Sequence, residues 1–225
     1  MEWDCKSMLP EELKNLVAEL GDKPFRAGQL FSWMHETNVG SYEEMTNLSA
    51  AFREKLAEKY PMDIPECVQM QVSKLDGTRK FLFRLSDGNV VESVWMEYHH
   101  GNSVCISTQV GCRMGCRFCA STLGGWIRNL KPSEMLEQIY QIQRIMGKRI
   151  SNNVLMGTGE PMDNYDAVVR FIRLVSHEKG LNISQRNITV STCGIVPKIR
   201  EFAGEGLNVT LALSLHAPTD EKRRA

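Results

Sequence analysis

The stretch "GCRMGCRFCAST", Gly111 to Thr122, sets Cys112, Cys116 and Cys119 at C-x3-C-x2-C spacing. Three soft sulfur donors so close in sequence point to metal chemistry. A structural zinc site asks for four protein ligands in a closed tetrahedron. Cys105 or His216 could supply a fourth, although neither completes a familiar zinc spacing. An iron–sulfur cluster ordinarily takes four cysteines. With three, one iron keeps a corner open to a small molecule, which suits a catalytic cluster that binds its substrate.

The surroundings of this stretch predict where it sits. From about residue 102 the pattern is strand, loop, helix, repeated. "SVCISTQVG" reads as a strand leading into the cysteines, and "PSEMLEQIYQIQRIMG" as a helix with Pro132 early and Gly147 as its stop. "SNNVLMG", "RNITVSTCG" and "NVTLALSLHA" read as further strands, and "NYDAVVRFIRLVSHEKG" and "VPKIREFAGEG" as the helices between them. Strands alternating with helices predict a parallel sheet with right-handed crossovers. Their apolar runs are those of strands covered on both faces. Loops at the carboxyl ends of such strands hold the chemistry.

Upstream the period differs. "VQMQVSKLDGTRKFLFRLSDGNVVESVWMEY" alternates and is broken at Asp76-Gly77 and Asp87-Gly88, both hairpin dipeptides. Strands are expected near 67–75, 79–86 and 89–97. Residues 10–60 read as helical. One stripe carries Leu13, Leu16, Val17 and Leu20, a second Phe25, Leu30, Phe31 and Met34, and a third, within a helix over 42–60, Met45, Leu48, Phe52 and Leu56. These apolar side chains are expected in the core.

Composition bounds the rest. A chain of 225 residues with 42% hydrophobic content can bury a core. Its 27 basic and 27 acidic residues cancel overall but not locally. Residues 1–100 hold 11 Lys/Arg against 17 Asp/Glu, leaving 16 and 10 for residues 101–225. The cysteine-bearing part is therefore mildly basic, which fits an anionic partner such as nucleic acid and equally an ordinary surface. The start, "MEWDCKSMLPEEL", lacks the apolar run of a signal peptide, and no stretch of about 18 apolar residues predicts a membrane span. A cytoplasmic protein is expected, its seven cysteines serving as thiols or metal ligands.

The cysteine spacing, with Phe118 before the last thiol, resembles the radical S-adenosylmethionine superfamily. "GNSVCISTQVGCRMGCRFCAS", "MGTGEP", "STCGIVPKI" and "SLHAPTDEKR" together resemble its RlmN/Cfr-type RNA adenine methyltransferases, over nearly the whole chain. The likeness is nearer the branch that methylates carbon 2 of adenine than the carbon-8 branch. It implies an α/β fold: a partial (βα)6 barrel cut after about four βα units. A small helical domain and a β-hairpin region would precede it, with boundaries 1–62, 63–100 and 101–225.

The resemblance also implies a 4Fe–4S cluster on Cys112, Cys116 and Cys119, and S-adenosylmethionine held by Gly159, Glu160, Ser191, Ser214, Leu215 and His216. Glycines in "GTGE" would let backbone approach the ligand, and Glu160 would accept from its ammonium group. On sequence alone, a Ser or His at such a place is more often a local hydrogen bonder. Glu92 is implied as proton acceptor at the target adenine, although alone it reads as an outward strand residue. Cys105 is implied to form a transient disulfide with a C-terminal cysteine.

The implied substrates are 23S rRNA and tRNA, with flavodoxin or ferredoxin as electron donor and a monomeric full-length protein. Lys23, Arg26, Arg53, Lys55 and Lys59 would help hold RNA or form a solvated helical face. Family members continue well beyond Ser214-Leu215-His216 and carry a methyl-accepting cysteine there. This chain ends at "TDEKRRA", so methyl transfer by it alone is not expected. The differing alternative is a cluster- or zinc-binding RNA-binding module without turnover.

Overall fold

The structure, a computed structural model, describes residues 3–224. It begins with a helical unit: α1 (Pro10–Glu19), α2 (Arg26–Ser32), a π-helical turn over Trp33–Thr37 and α3 (Ala50–Lys59). Pro10 opens α1 where its missing N–H costs nothing, and Glu12 reaches back to accept from the Leu9 backbone N–H at 2.7 Å. The helix expected over 42–60 is broken before Ser49, whose hydroxyl caps α3 by accepting from Phe52 N at 3.3 Å. The predicted stripes are buried except at Phe25, which is exposed with the Arg26 guanidinium 5.0 Å from its ring centre.

The sheet has seven strands: β1 (Glu66–Val72), β2 (Arg79–Arg84), β3 (Val90–Tyr98), β4 (Gly101–Cys105), β7 (Asn152–Leu155), β8 (Ile188–Thr192) and β9 (Thr210–Leu213), hydrogen-bonded in that order. Strands β1 to β4 are antiparallel, turning at Asp76-Gly77 and Asp87-Gly88 as their dipeptides predict. Strands β4, β7, β8 and β9 are parallel, connected through α4 (Pro132–Met146), α5 (Tyr165–Val175) and α6 (Val196–Ala203). This is the expected α/β partial barrel with four parallel strands. The hairpin strands are not a separate layer: β3 pairs with β4 through Val94 opposite Cys105, so both segments share one sheet.

Two sequence expectations need correction. "SVCISTQVG" is not one strand. It breaks after β4, and Gln109–Gly111 forms β5 in a separate antiparallel pair with β6 (Trp126–Asn129). Polar bonds make the break: Ser107 Oγ donates to Glu92 O at 2.7 Å, and Ser107 N donates to Gln138 Oε1 at 2.8 Å. The cysteines therefore lie in the loop of a two-stranded hairpin. Strand β9, apolar in sequence, is not covered on both faces; Leu211 and Leu213 are exposed, because β9 is the open parallel edge of the sheet. Among the described residues no helix is long and apolar enough to cross a membrane.

The helical unit is fastened to α4 and α5 by polar contacts, some buried and some part-exposed. Lys6 pairs with Glu137, both buried. Asp4 accepts from Ser133 Oγ at 2.7 Å, and Arg170 pairs with Glu12. His35 and Tyr140, each fully buried, share a 2.7 Å hydrogen bond. Burial holds the His35 ring neutral, its pKa lowered to about 3.

Candidate functional site

The cysteine loop hangs from the β5–β6 pair. Gly111 must be glycine: at φ +72°, a Cβ there would lie 1.9 Å from Gly125 O. Within the loop Cys119 N donates to Cys116 O at 3.0 Å, and Thr122 Oγ1 donates to Cys116 O and Cys119 O. Cys112, Cys116 and Cys119 line one cavity of about 260 Å³. Gly159, Glu160, Ser191, Ser214 and His216 line the same cavity. They come from the carboxyl ends of β7, β8 and β9, segments far apart in sequence. Ser191 Oγ and Ser214 Oγ lie 3.2 Å apart. The His216 ring, on a left-handed residue at φ +54°, packs 4.6 Å from the Phe118 ring centre. Leu215 is exposed beside them and is not part of the cavity wall.

Glu160 is buried, and its carboxylate is already engaged. Oε1 accepts from Met162 N at 3.0 Å and Oε2 from Cys193 N at 2.8 Å. A carboxylate has about four acceptor sites, so capacity remains for a ligand ammonium. A Cβ on Gly159 would meet Gln109 Cβ at 2.6 Å, so that glycine admits the protein's own chain.

Glu92 and Cys105 lie outside this cavity wall. They sit on neighbouring strands; Glu92 shares a face of β3 with Val94, which pairs with Cys105 across the β3–β4 ladder. The Glu92 carboxylate pairs with Lys80 Nζ at 3.1 Å. Burial pushes the Cys105 thiol up to about 11, opposed by a backbone hydrogen bond at Met156 and assisted by the Glu92 charge. Met156 itself lines the cysteine cavity, which makes the two groups neighbours. No disulfide joins any two of the seven cysteines, all of which are free; the C-terminal partner that the resemblance implies for Cys105 is not among them.

Cys193, which sequence reading passed over, also lines the cavity. Burial, then the Glu160 carboxylate, pushes its thiol up to about 12. Burial also raises the Cys112 thiol. The sequence signals for Cys193 are its place just after a strand and within the quoted stretch "STCGIVPKI".

The donor set is three soft thiols around one cavity, the donor chemistry that an iron–sulfur cluster takes.

Of the RNA-facing basic residues expected in the helical unit, three are tied to its own backbone. Arg26 Nη1 donates to Asn47 O, Arg53 to Glu43 O, and Lys55 Nζ to Leu20 O at 3.0 Å.

Comparison with known proteins agrees with this geometry. The family described as the ribosomal RNA large subunit methyltransferase N-terminal domain matches residues 5–61, and the radical SAM superfamily matches residues 106–225. A probable dual-specificity RNA methyltransferase RlmN from Lachnospira eligens is 65% identical over 98% of this chain and 63% of the relative. One from Lachnoclostridium phytofermentans is 64% identical over 98% and 62%. This chain thus spans under two thirds of those relatives' length. The crystal structure of a radical SAM methyltransferase from Sphaerobacter thermophilus superposes with a TM-score of 0.91 at 40% identity, covering 99% of this chain and 66% of that one. With the radical SAM match taking in the cysteine loop and every segment that lines its cavity, the chain belongs to the radical SAM superfamily, whose members use a 4Fe–4S cluster and S-adenosylmethionine.

Proposed function

We propose that this chain is the cluster- and cofactor-binding portion of an RNA methyltransferase acting on carbon 2 of adenosine in 23S rRNA and tRNA. One observation carries the reading: three thiols, Glu160, Ser191, Ser214 and His216 line a single cavity at the carboxyl ends of parallel strands. Cys112, Cys116 and Cys119 would hold the cluster. Glu160 would take the amino group of S-adenosylmethionine, while Ser191, Ser214, His216 and the Gly159 and Leu215 backbone would contact its ribose and carboxylate. When bound, that pair supplies the one-electron chemistry that an electron-poor aromatic carbon requires.

The remaining roles fall to this chain's own side chains. Glu92, half-exposed on β3 and held by Lys80, would accept the proton leaving the adenine ring. Cys105, whose thiol pKa burial raises to about 11, would take part in thiol–disulfide exchange as its thiolate, after losing its proton. A target base reaching these groups must leave its stack. Residues 1–62 are proposed as an RNA-facing accessory unit, 63–100 as a connector and 101–225 as the core. An electron donor of the flavodoxin or ferredoxin kind is the proposed reductant.

The test is anaerobic reconstitution of the chain with iron and sulfide. About four irons per chain and binding of S-adenosylmethionine are expected. One zinc per chain without cofactor binding would replace this reading with that of a structural module. Mass spectrometry of RNA incubated with this chain alone should find no new methyladenine.

A further inference from the structure

The segment between β4 and the cysteine loop, Ile106–Gln109, is largely polar and completely buried. Its last member, Gln109, does not itself line the cavity, yet every polar atom of its side chain is used. Gln109 Oε1 accepts from Glu160 N at 2.8 Å. Gln109 Nε2 donates to Asn129 Oδ1 and to Asp163 Oδ2, each at 2.8 Å. Asp163 Oδ2 also accepts from Arg113 Nε at 2.8 Å, and the Arg113 guanidinium lies 4.0 Å from the Trp126 ring centre. Gly159 packs against the Gln109 Cβ, with no room for a side chain of its own.

These bonds join two loops. One carries Cys112 and continues through Arg113; the other carries Glu160 and continues through Asp163. A glutamine can do this because its amide accepts at one atom and donates twice at the other. A glutamate of the same size could not donate to the Asp163 carboxylate and would repel it.

We propose that Gln109 is a positioning residue for cofactor capture: it sets the separation between the cysteine loop and Glu160, so that a ligand bound at the cluster meets the carboxylate. This rests on the functional reading above and adds to it a residue that contacts neither cluster nor ligand.

The test compares the reconstituted full chain with two variants, Gln109→Glu and the exchanged pair Gln109→Glu with Asp163→Asn. In the pair, an amide at 163 can again donate to a carboxylate at 109. Iron content, thermal midpoint and S-adenosylmethionine affinity by calorimetry are measured on each. Iron content is expected to stay that of the parent throughout. Affinity should fall about tenfold or more in the single variant, the scale of a lost buried hydrogen bond. The exchanged pair should recover most of that loss. Parent-like affinity in Gln109→Glu would overturn the proposal. So would a loss accompanied by lost iron and a lowered midpoint, or one that the exchanged pair does not recover, since either assigns Gln109 to fold support alone. If the unaltered chain assembles its cluster and binds no S-adenosylmethionine, the functional reading itself falls, which separates the two failures.

Discussion

The junction of the helical unit with α4 and the cavity above the parallel strands both collect polar groups, and they treat them in opposite ways. At the junction Lys6 and Glu137 are 6% and 0% exposed and answer each other; Arg144 adds a second partner to Glu137 at 3.3 Å. His35 Nδ1 and the Tyr140 hydroxyl likewise share a bond, although His35 Nε2 is buried without a partner. In the cavity, Glu160 accepts from the Met162 and Cys193 backbone and Ser191 meets Ser214, and these groups keep acceptor or donor capacity toward the space that Cys116 and Cys119 also line. A buried charge without a partner is expensive, so the junction tolerates none. The cavity can leave groups unsaturated because it stays open to solvent. What differs is whether coordination is completed inside the protein or reserved for a ligand.

The sharpest way to break this contrast is at the reserved end. Replacing Cys116 by Ala should take iron from about four per chain to near none; unchanged iron by colorimetric assay would sink the cluster assignment. Next is the closed end. Glu137→Ala leaves the Lys6 ammonium buried without its partner and should cost about 3–5 kcal/mol in urea unfolding. A loss below about 1 kcal/mol would mean that water reaches the junction, and the contrast would fail.

A smaller effect tests His35 by pH. Its folded pKa is lowered from 6.5 to about 3 by burial. Between those values the unfolded chain takes up a proton that the folded chain refuses, so stability falls as pH drops from 6.5 toward 3 and is unaffected above. The slope is at most about 1.4 kcal/mol per pH unit. Unfolding curves for the parent and His35→Gln between pH 7 and 4.5 should diverge by this amount; parallel curves would show a hydrated ring.

The smallest effect is expected at Asp87, whose carboxyl the Arg128 guanidinium holds at about 2. That pair is part exposed, with the carboxylate 36% accessible. Asp87→Asn should therefore cost under about 1 kcal/mol at neutral pH. The folded pKa is depressed, so the parent's advantage should vanish as pH falls from about 4 through 2. A larger loss would place this surface pair with the closed junction.

Much of the frame was legible because its signals are local. The helical stripes around Leu13 and Phe52, the Asp-Gly turns and the alternation of strands and helices all report on near neighbours along the chain. Three features were not. The β5–β6 pair joins Gln109 to Asn129 across the cysteine loop, and short strands without apolar alternation carry no periodic signal. The exposure of Leu211 and Leu213 depends on what lies beside β9, which apolar composition cannot report. The engagement of Arg26, Arg53 and Lys55 with carbonyls of their own unit depends on where loops fold back. In the candidate site the cysteines, Glu160, Ser191, Ser214 and His216 were legible from motif resemblance, whereas Cys193 and Gln109 emerged only in three dimensions.

By itself the sequence determined the donor chemistry: three sulfurs in one loop, with a spacing that a short chain segment sets without outside help. It also determined the alternation of the four parallel strands with the helices between them. Tertiary structure alone decided which distant groups meet that loop. Gln109 and Asp163 are 54 positions apart and Ser191 and Ser214 are 23 apart. They become neighbours because parallel strands need long crossovers, each returning the chain to the same edge of the sheet.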